Sequence, residues 1–234
     1  MGELLIKENE KKIVVPGEIL ATGMDYLPAS GAFREDDKII SSLLGIASTN
    51  GRLVKVVPLN GPYVPKLGDT VIGRIADVNY SNWFVDIGYA YDASLTMKEA
   101  TSEFIPRGAD ISEIFALNDL LVLKITNVTR SKAIDVSLRG PGLRGLRGGK
   151  VVNVMATKVP RIVGKQGSMI GMIKDMTGCD IVAGQNGRIW ISGQDPESEK
   201  LATDAVRLIE DESHVSGLTD RVKAFMEKAR GEKK

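Results

Sequence analysis

The sequence predicts a multidomain protein, mainly β, with an α+β domain in its C-terminal half and a helix at its end. Three observations carry that reading. Short apolar runs broken by Gly and Pro fill residues 1–139, where no long 3.6-residue period develops. A glycine- and arginine-rich stretch, GPGLRGLRGG (140–149), then separates them from the rest of the chain. Beyond it, strand-like alternation and helical periods succeed one another.

Bulk properties narrow the function classes. At 234 residues the chain has room for two or three small domains, and 43% hydrophobic residues suffice for real cores. One cysteine, Cys179, and one histidine, His214, exclude an internal disulfide and Cys- or His-rich metal sites, so no metal or cofactor is expected. A reducing, cytoplasmic setting follows. No apolar run reaches membrane-spanning length, and MGELLIKENEKK lacks the core of a signal peptide.

The net charge of +1 conceals an asymmetry. Arg139–Trp190 holds nine basic residues against Asp175 and Asp180, about +7, which leaves about −6 for the rest. Such a segment is either a local polyanion site or a solvated charged face.

Taken in order, residues 1–66 carry IVVPGEIL, SSLLGIAS and LVKVVPLNGPYVP, a small all-β unit. Residues 67–139 open on Leu67-Gly68-Asp69 and hold several short strands. In NWFVDI, Trp83, Val85 and Ile87 share one face, while Asn82, Phe84 and Asp86 share the other. The apolar set points inward and leaves Phe84 outward. Residues 140–149 read as a flexible, positively charged linker. Its Gly149-Lys150 lacks the Ser/Thr and upstream glycine of a phosphate-binding P-loop.

Residues 150–213 take the order β-α-α-β-β-α. VVNVMATKV is a strand, and Pro160 opens a short helix where its missing N–H costs least. After a glycine turn, SMIGMIKDMTG places Met169, Ile170, Met172, Ile173 and Met176 on one stripe before Gly178 stops the helix. CDIVAGQN and RIWISGQ flank Asn186-Gly187, a hairpin signal. Asp195-Pro196 caps a helix with Leu201, Ala205, Val206 and Ile209 inward. In residues 214–234, Leu218, Val222, Phe225 and Ala229 form the stripe of a last helix, which either docks on the preceding domain, the favoured expectation, or meets a partner.

The glycine turn within PRIVGKQGSMI (160–170) is the sharpest chemical signal. Gly164 and Gly167 remove the side chains that would keep a phosphate away, N–H groups open the second helix, and Lys165 adds charge. The plainer reading is a helix-turn-helix packed through its Met and Ile residues. The run I-V-G-K-Q-G-S-M-I-G-M-I-K-D-M-T-G-C-D-I resembles the KH domain. The resemblance implies a type I KH fold (βααββα) whose loop, Gly164, Lys165, Gln166 and Gly167, clamps a single-stranded backbone.

GDTVIGRIADVNYSNWFVDI, LNDLLVLKITNVTR and AIDVSLRG resemble the OB-fold RNA-binding domain named after ribosomal protein S-one, which implies a five-stranded β-barrel. Phe84 takes that family's base-stacking position. The ring is either such a platform or covered by a neighbouring domain. Two positions depart from the pattern: Ser81 stands where another aromatic is usual, with Tyr80 adjacent, and Thr96 replaces a common histidine. Around these two motifs, Arg144, Arg147, Arg161 and Arg188 complete the expected RNA-binding set with Tyr80.

No catalytic constellation accompanies them. His214 has no nucleophile pattern beside it, Cys179 is expected buried and inert, and no acidic metal-holding cluster flanks the basic segment. The order of the three blocks, with Val15-Pro16-Gly17-Glu18 and Tyr63-Val64-Pro65 in the first, resembles the cap subunit of the archaeal RNA exosome, the ribosomal RNA-processing protein four family. Polynucleotide phosphorylase joins the same two RNA-binding domains in the opposite order, behind a catalytic half absent here. The resemblance implies a non-catalytic subunit, three copies of which sit on a hexameric ring of RNase PH-like subunits and guide single-stranded 3′ ends of RNA into its pore. Residues 1–66 would dock on the ring. The alternative is a free-standing RNA-binding regulator built from the same OB and KH modules.

Overall fold

The computed structural model describes residues 4–5, 12–101, 110–215 and 217–231. Two compact units divide the chain, Met1–Gly61 and Pro62–Lys234. The division falls before Pro62 and not after Lys66, because Tyr63 is buried in the core of the second unit and its hydroxyl donates to Asp69 Oδ2 at 2.7 Å. Burial first, then that bond to an acceptor, raises the phenol's pKa.

The first unit is all β: β1 (Lys12–Val14), β2 (Ile19–Thr22), β3 (Leu27–Pro28), β4 (Ala32–Glu35), β5 (Lys38–Ser41), β6 (Gly45–Asn50) and β7 (Leu53–Pro58). They form two sheets, β1-β6-β7-β3 and β2-β5-β4. Alternation along β7 sends Val54 and Val56 into a core with Val14, Leu20, Ile39 and Ala47, and turns Leu53, Lys55 and Val57 outward.

The second unit opens with a barrel of β8 (Thr70–Val78), β9 (Asn82–Asp86), β10 (Ala93–Thr96), β11 (Leu120–Val128) and β12 (Ile134–Ser137), with the short helix α1 (Met97–Ala100) after β10. Closure runs β8-β9-β10-β12-β11 and back to β8, antiparallel except for the β10–β12 pair. Trp83, Val85 and Ile87 fill the interior as expected, with Ile75, Leu123 and Ile125. Gly73 is there because a Cβ would come within 2.3 Å of Val85 Cγ1.

The stretch expected as a flexible linker is folded instead. Its residues Arg144–Leu146 form β13, which extends the barrel sheet along β11. Leu146 is buried with Ile72, Val122 and Trp190, and the Trp190 indole N–H donates to the Gly148 carbonyl at 2.9 Å.

Next come β14 (Lys150–Asn153), α2 (Val159–Val163), α3 (Ser168–Thr177), β15 (Asp180–Ala183), β16 (Arg188–Ser192) and α4 (Pro196–Asp211), the expected order. The sheet is antiparallel, β14-β16-β15. Asp195 caps α4 by accepting the Ser198 N–H at 2.8 Å, with Pro196 in the first turn. Cys179 lies buried in the core beneath α3 and α4, whereas His214 is exposed. The last helix, α5 (Leu218–Gly231), docks on this core, but through Leu218, Val222 and Met226. Phe225, expected on the buried stripe, is 36% exposed, because the helix rolls toward Met226 and leaves that ring at the rim.

Barrel and α+β domain are joined by the turn between β15 and β16. Here Asn186 does what a strand residue would. Its side-chain amide accepts the Ile72 N–H at 3.2 Å and donates to the Ile72 and Ile87 carbonyls, each at 2.8 Å, completing the edge of β8 beyond the end of β9. Gln185 adds a pair of bonds to Thr70, both 2.8 Å. Gly184 permits the approach, since a Cβ would sit 2.8 Å from the Ile72 nitrogen.

Candidate nucleic-acid interface

The glycine loop is built by two glycines with different tasks. Gly164 ends α2 at φ 75°, ψ 175°, and a Cβ there would lie 2.7 Å from the Met169 nitrogen. It lets the loop fold onto the start of α3. Gly167, at φ 80°, has only Ile170 Cγ2 at 4.0 Å from its missing Cβ, so its outer side is open. Between them Gln166 is left-handed too, at φ 54°, ψ 28°. Lys165 and Gln166 are exposed, as is Arg161 one turn earlier. No side chain caps the first turn of α3; the loop closes on it through its own backbone, the Ser168 N–H donating to the Lys165 carbonyl and the Gly167 N–H to the Gly164 carbonyl at 3.3 Å. The structure therefore brings together Gly164, Lys165, Gln166, Gly167 and Arg161.

On the barrel, Phe84 points outward from β9, half-buried, in register with Ser94 of β10 and Asp77 of β8. Tyr80, in the β8–β9 connection, is 97% exposed. Two further rings, Tyr89 and Tyr91, lie in the β9–β10 connection, where sequence reasoning expects no site. The only signal for them is an aromatic pair, GYAYD, between two strands.

The remaining arginines are distributed differently from expectation. Arg188 does not face open solvent: its side chain is 18% exposed and bonds Asp86 Oδ2 at 2.7 Å and the Asp86 carbonyl at 2.6 Å. It is a strut of the domain junction and leaves the RNA-binding set. Burial pushes the Asp86 pKa up, but the Gly88 N–H, the Arg188 bond and charge, and Arg74 outweigh it and hold the carboxylate below its ordinary value. Arg144 pairs with Asp180 at 2.6 Å, where Lys174 also bonds at 3.0 Å. Arg147, exposed, lines a pocket of about 360 Å³ with Phe115, Leu121 and Leu146. Among the described residues no group of three His, Cys, Asp or Glu side chains could hold a metal, and no helix is long and apolar enough to cross a membrane.

Comparison with known proteins assigns each module. Residues 11–60 match the family described as exosome RNA binding protein RRP4 N-terminal domain, 62–127 the RRP4 S1 domain, and 149–197 the KH domain. The exosome complex component Rrp4 of Thermococcus kodakarensis is 43% identical over 97% of this chain and 88% of its own length. That of Methanothermus fervidus is 45% identical over 95% of this chain and 97% of its own. The chain belongs to the Rrp4 family of exosome components. A crystal structure of a protein assigned as an exosome complex RNA-binding protein superposes with a TM-score of 0.67, at 32% identity, over 74% of this chain and 100% of the other. In Rrp4 terms, the barrel is the S1 domain, the Gly164–Gly167 turn is the KH loop, and the junction at Asn186 joins S1 to KH. The family boundary at residue 62 coincides with the break before Pro62.

Proposed function

We propose that this chain is the non-catalytic, RNA-binding cap of an archaeal exosome. Three copies sit on a hexameric ring of RNase PH-like subunits in the cytoplasm, and each guides single-stranded 3′ ends toward the pore while the ring carries the chemistry. Membership of the Rrp4 family supports the setting. The observation that carries the RNA role is the open KH loop, with Lys165 and Gln166 exposed, held in one unit with the outward Phe84 of the S1 domain. Two weak single-stranded sites held at fixed separation bind as one, because the second contact is intramolecular.

The deciding experiment is native mass determination of the chain mixed with an archaeal RNase PH-type hexamer, without RNA. A ring carrying three copies is the expected result. Failure to bind several such rings, together with tight RNA binding by the chain alone, overturns the cap and leaves a free-standing regulator.

A further inference from the structure

The sequence holds three Asn-Gly pairs: Asn50-Gly51, Asn60-Gly61 and Asn186-Gly187. This dipeptide loses its side-chain amide readily, because glycine presents the asparagine with a backbone nitrogen that no side chain shields. Asn50 and Asn60 are exposed, and open space surrounds the missing Cβ of the glycine that follows each. Asn186 is different. It is 9% exposed, and its amide ties Ile72 and Ile87 of the barrel to the KH domain.

Both groups that would react are held in the closed junction. Asn186 Nδ2 donates to two carbonyls at 2.8 Å each, and Oδ1 accepts the Ile72 N–H at 3.2 Å. The Gly187 N–H donates to the Gly184 carbonyl at 3.1 Å, while the Gly187 carbonyl accepts the Val154 N–H at 2.7 Å. With amide and nitrogen fixed by separate bonds, the nitrogen cannot turn onto the side-chain carbon. Opening of the turn frees both at once.

We propose that Asn186 is a deamidation site whose reaction irreversibly releases the S1 barrel from the KH domain, and that the closed junction holds this reaction off. Once the turn opens, the Gly187 nitrogen attacks Asn186 Cγ, the Cγ–Nδ2 bond breaks, and ammonia departs with the proton that nitrogen gives up. Water then opens the cyclic imide at either of its carbonyls, leaving aspartate or isoaspartate, and no electrons are exchanged. Neither product fits the seam. Aspartate still accepts the Ile72 N–H, but it sets a carboxylate oxygen against two carbonyl oxygens where the amide donated. The cation at the seam, Arg188, is already paired with Asp86 at 2.7 Å. Isoaspartate lengthens the backbone inside a turn that is bonded on both sides.

The test is peptide mapping by mass spectrometry of the full chain kept in mildly alkaline buffer, with Asn50 and Asn60 as references in the same molecule. In the folded parent, Asn186 should convert about a hundredfold more slowly than they do. With the chain unfolded in urea, the three should convert within about threefold of one another. Asp86→Asn loosens the junction from the barrel side, away from the reacting pair, and should speed Asn186 about tenfold without changing Asn50 or Asn60. Asn186→Asp, the product made directly, should exchange the Ile72 amide hydrogen about a hundredfold faster than the parent. Val56, whose N–H donates to the Ser30 carbonyl in the first unit, should keep its protection in that variant. Equal rates at all three sites in the folded parent overturn the protection, and an Asn186 that stays intact in urea overturns the site. An Asn186 no faster in Asp86→Asn than in the parent overturns the coupling to junction opening. Parent-like exchange at Ile72 in Asn186→Asp overturns the release.

Discussion

At the scale of single residues, stacking and charge are separable at this interface. Phe84 offers a ring face and no charge, so Phe84→Ala should cost about 1–3 kcal/mol of RNA affinity with no change in salt dependence. Lys165 is exposed on the KH loop, and Lys165→Ala should flatten the slope of log affinity against log salt by about one, the signature of a lost phosphate contact. Anisotropy titrations at several salt concentrations read both at once, and a slope change in Phe84→Ala would sink this division of labour. The two loop glycines separate in the same way. Gly164→Ala drives a Cβ into the Met169 backbone at a left-handed φ, so it should destabilise the KH domain by about 1–3 kcal/mol, seen as a lower melting temperature. Gly167→Asp meets no neighbour, tolerates its conformation better and places a carboxylate where a phosphate would lie. It should weaken RNA binding with a smaller loss of melting temperature. The opposite ranking in melting temperature would show that the loop is held by something other than Gly164.

At the scale of elements, the S1–KH junction is held by the Asn186 amide, the Gln185–Thr70 bonds, the Asp86–Arg188 pair and the packing of Trp190 on Ile72 and Val122. Asn186→Ala leaves the Ile72 N–H and the Ile87 carbonyl without partners in a buried seam, and the Ile72 carbonyl with only the Arg188 guanidinium at 3.4 Å, a loss on the order of 3 kcal/mol. The Asp86–Arg188 pair makes the junction acid-sensitive. Because the folded pKa of Asp86 lies below its unfolded value, near 3.9, its stabilising effect is complete above that value. It is lost as pH falls through the folded pKa. The melting-temperature gap between the parent and Asp86→Asn should therefore be widest at neutral pH and close below about pH 4; a gap that ignores pH would mean that the pair contributes no charge-dependent stability. None of this junction is legible in the sequence, although its turn is. Asn-Gly marks the hairpin correctly, and a residue with that strong local reason to be present gives no hint that its amide also bridges two domains. Periodicity finds the α2–α3 pair, the capped α4 and the alternation in β9, because each buries its face against its own domain. It fails where neighbours decide. The strand β13 forms only because β11 offers an edge to LRGL, and Met226 displaces Phe225 because the surface beneath α5, absent from any local pattern, sets the roll of that helix. Arg188 is misplaced for the same reason, since a count of basic residues does not reveal which have carboxylates opposite them.

At the scale of the whole molecule, the proposed cap role assigns ring docking to the first unit and RNA binding to the second, and that assignment can be tested from either side. In the first unit Ile13 of β1, Ile46 of β6 and Val57 of β7 stand in register across three strands on the outer face of the sheet. Ile13 is 63% and Val57 50% exposed. Cross-strand apolar rows normally lie inside. An outward row suits the desolvated centre of a protein interface. We expect Ile13→Asp with Val57→Asp to abolish the ring-bound species in native mass spectra, because two carboxylates would enter that centre unpaired. The free variant should still bind oligoadenylate like the parent, since the row lies outside the unit that carries the KH loop and Phe84. Conversely, Phe84→Ala and Gly167→Asp should load the ring three to a hexamer and fail only with RNA. If the double aspartate variant still fills the ring, the docking surface lies elsewhere on the chain. If it loses ring and RNA together with an intact fold, the two functions share a surface and the cap cannot be dissected into units.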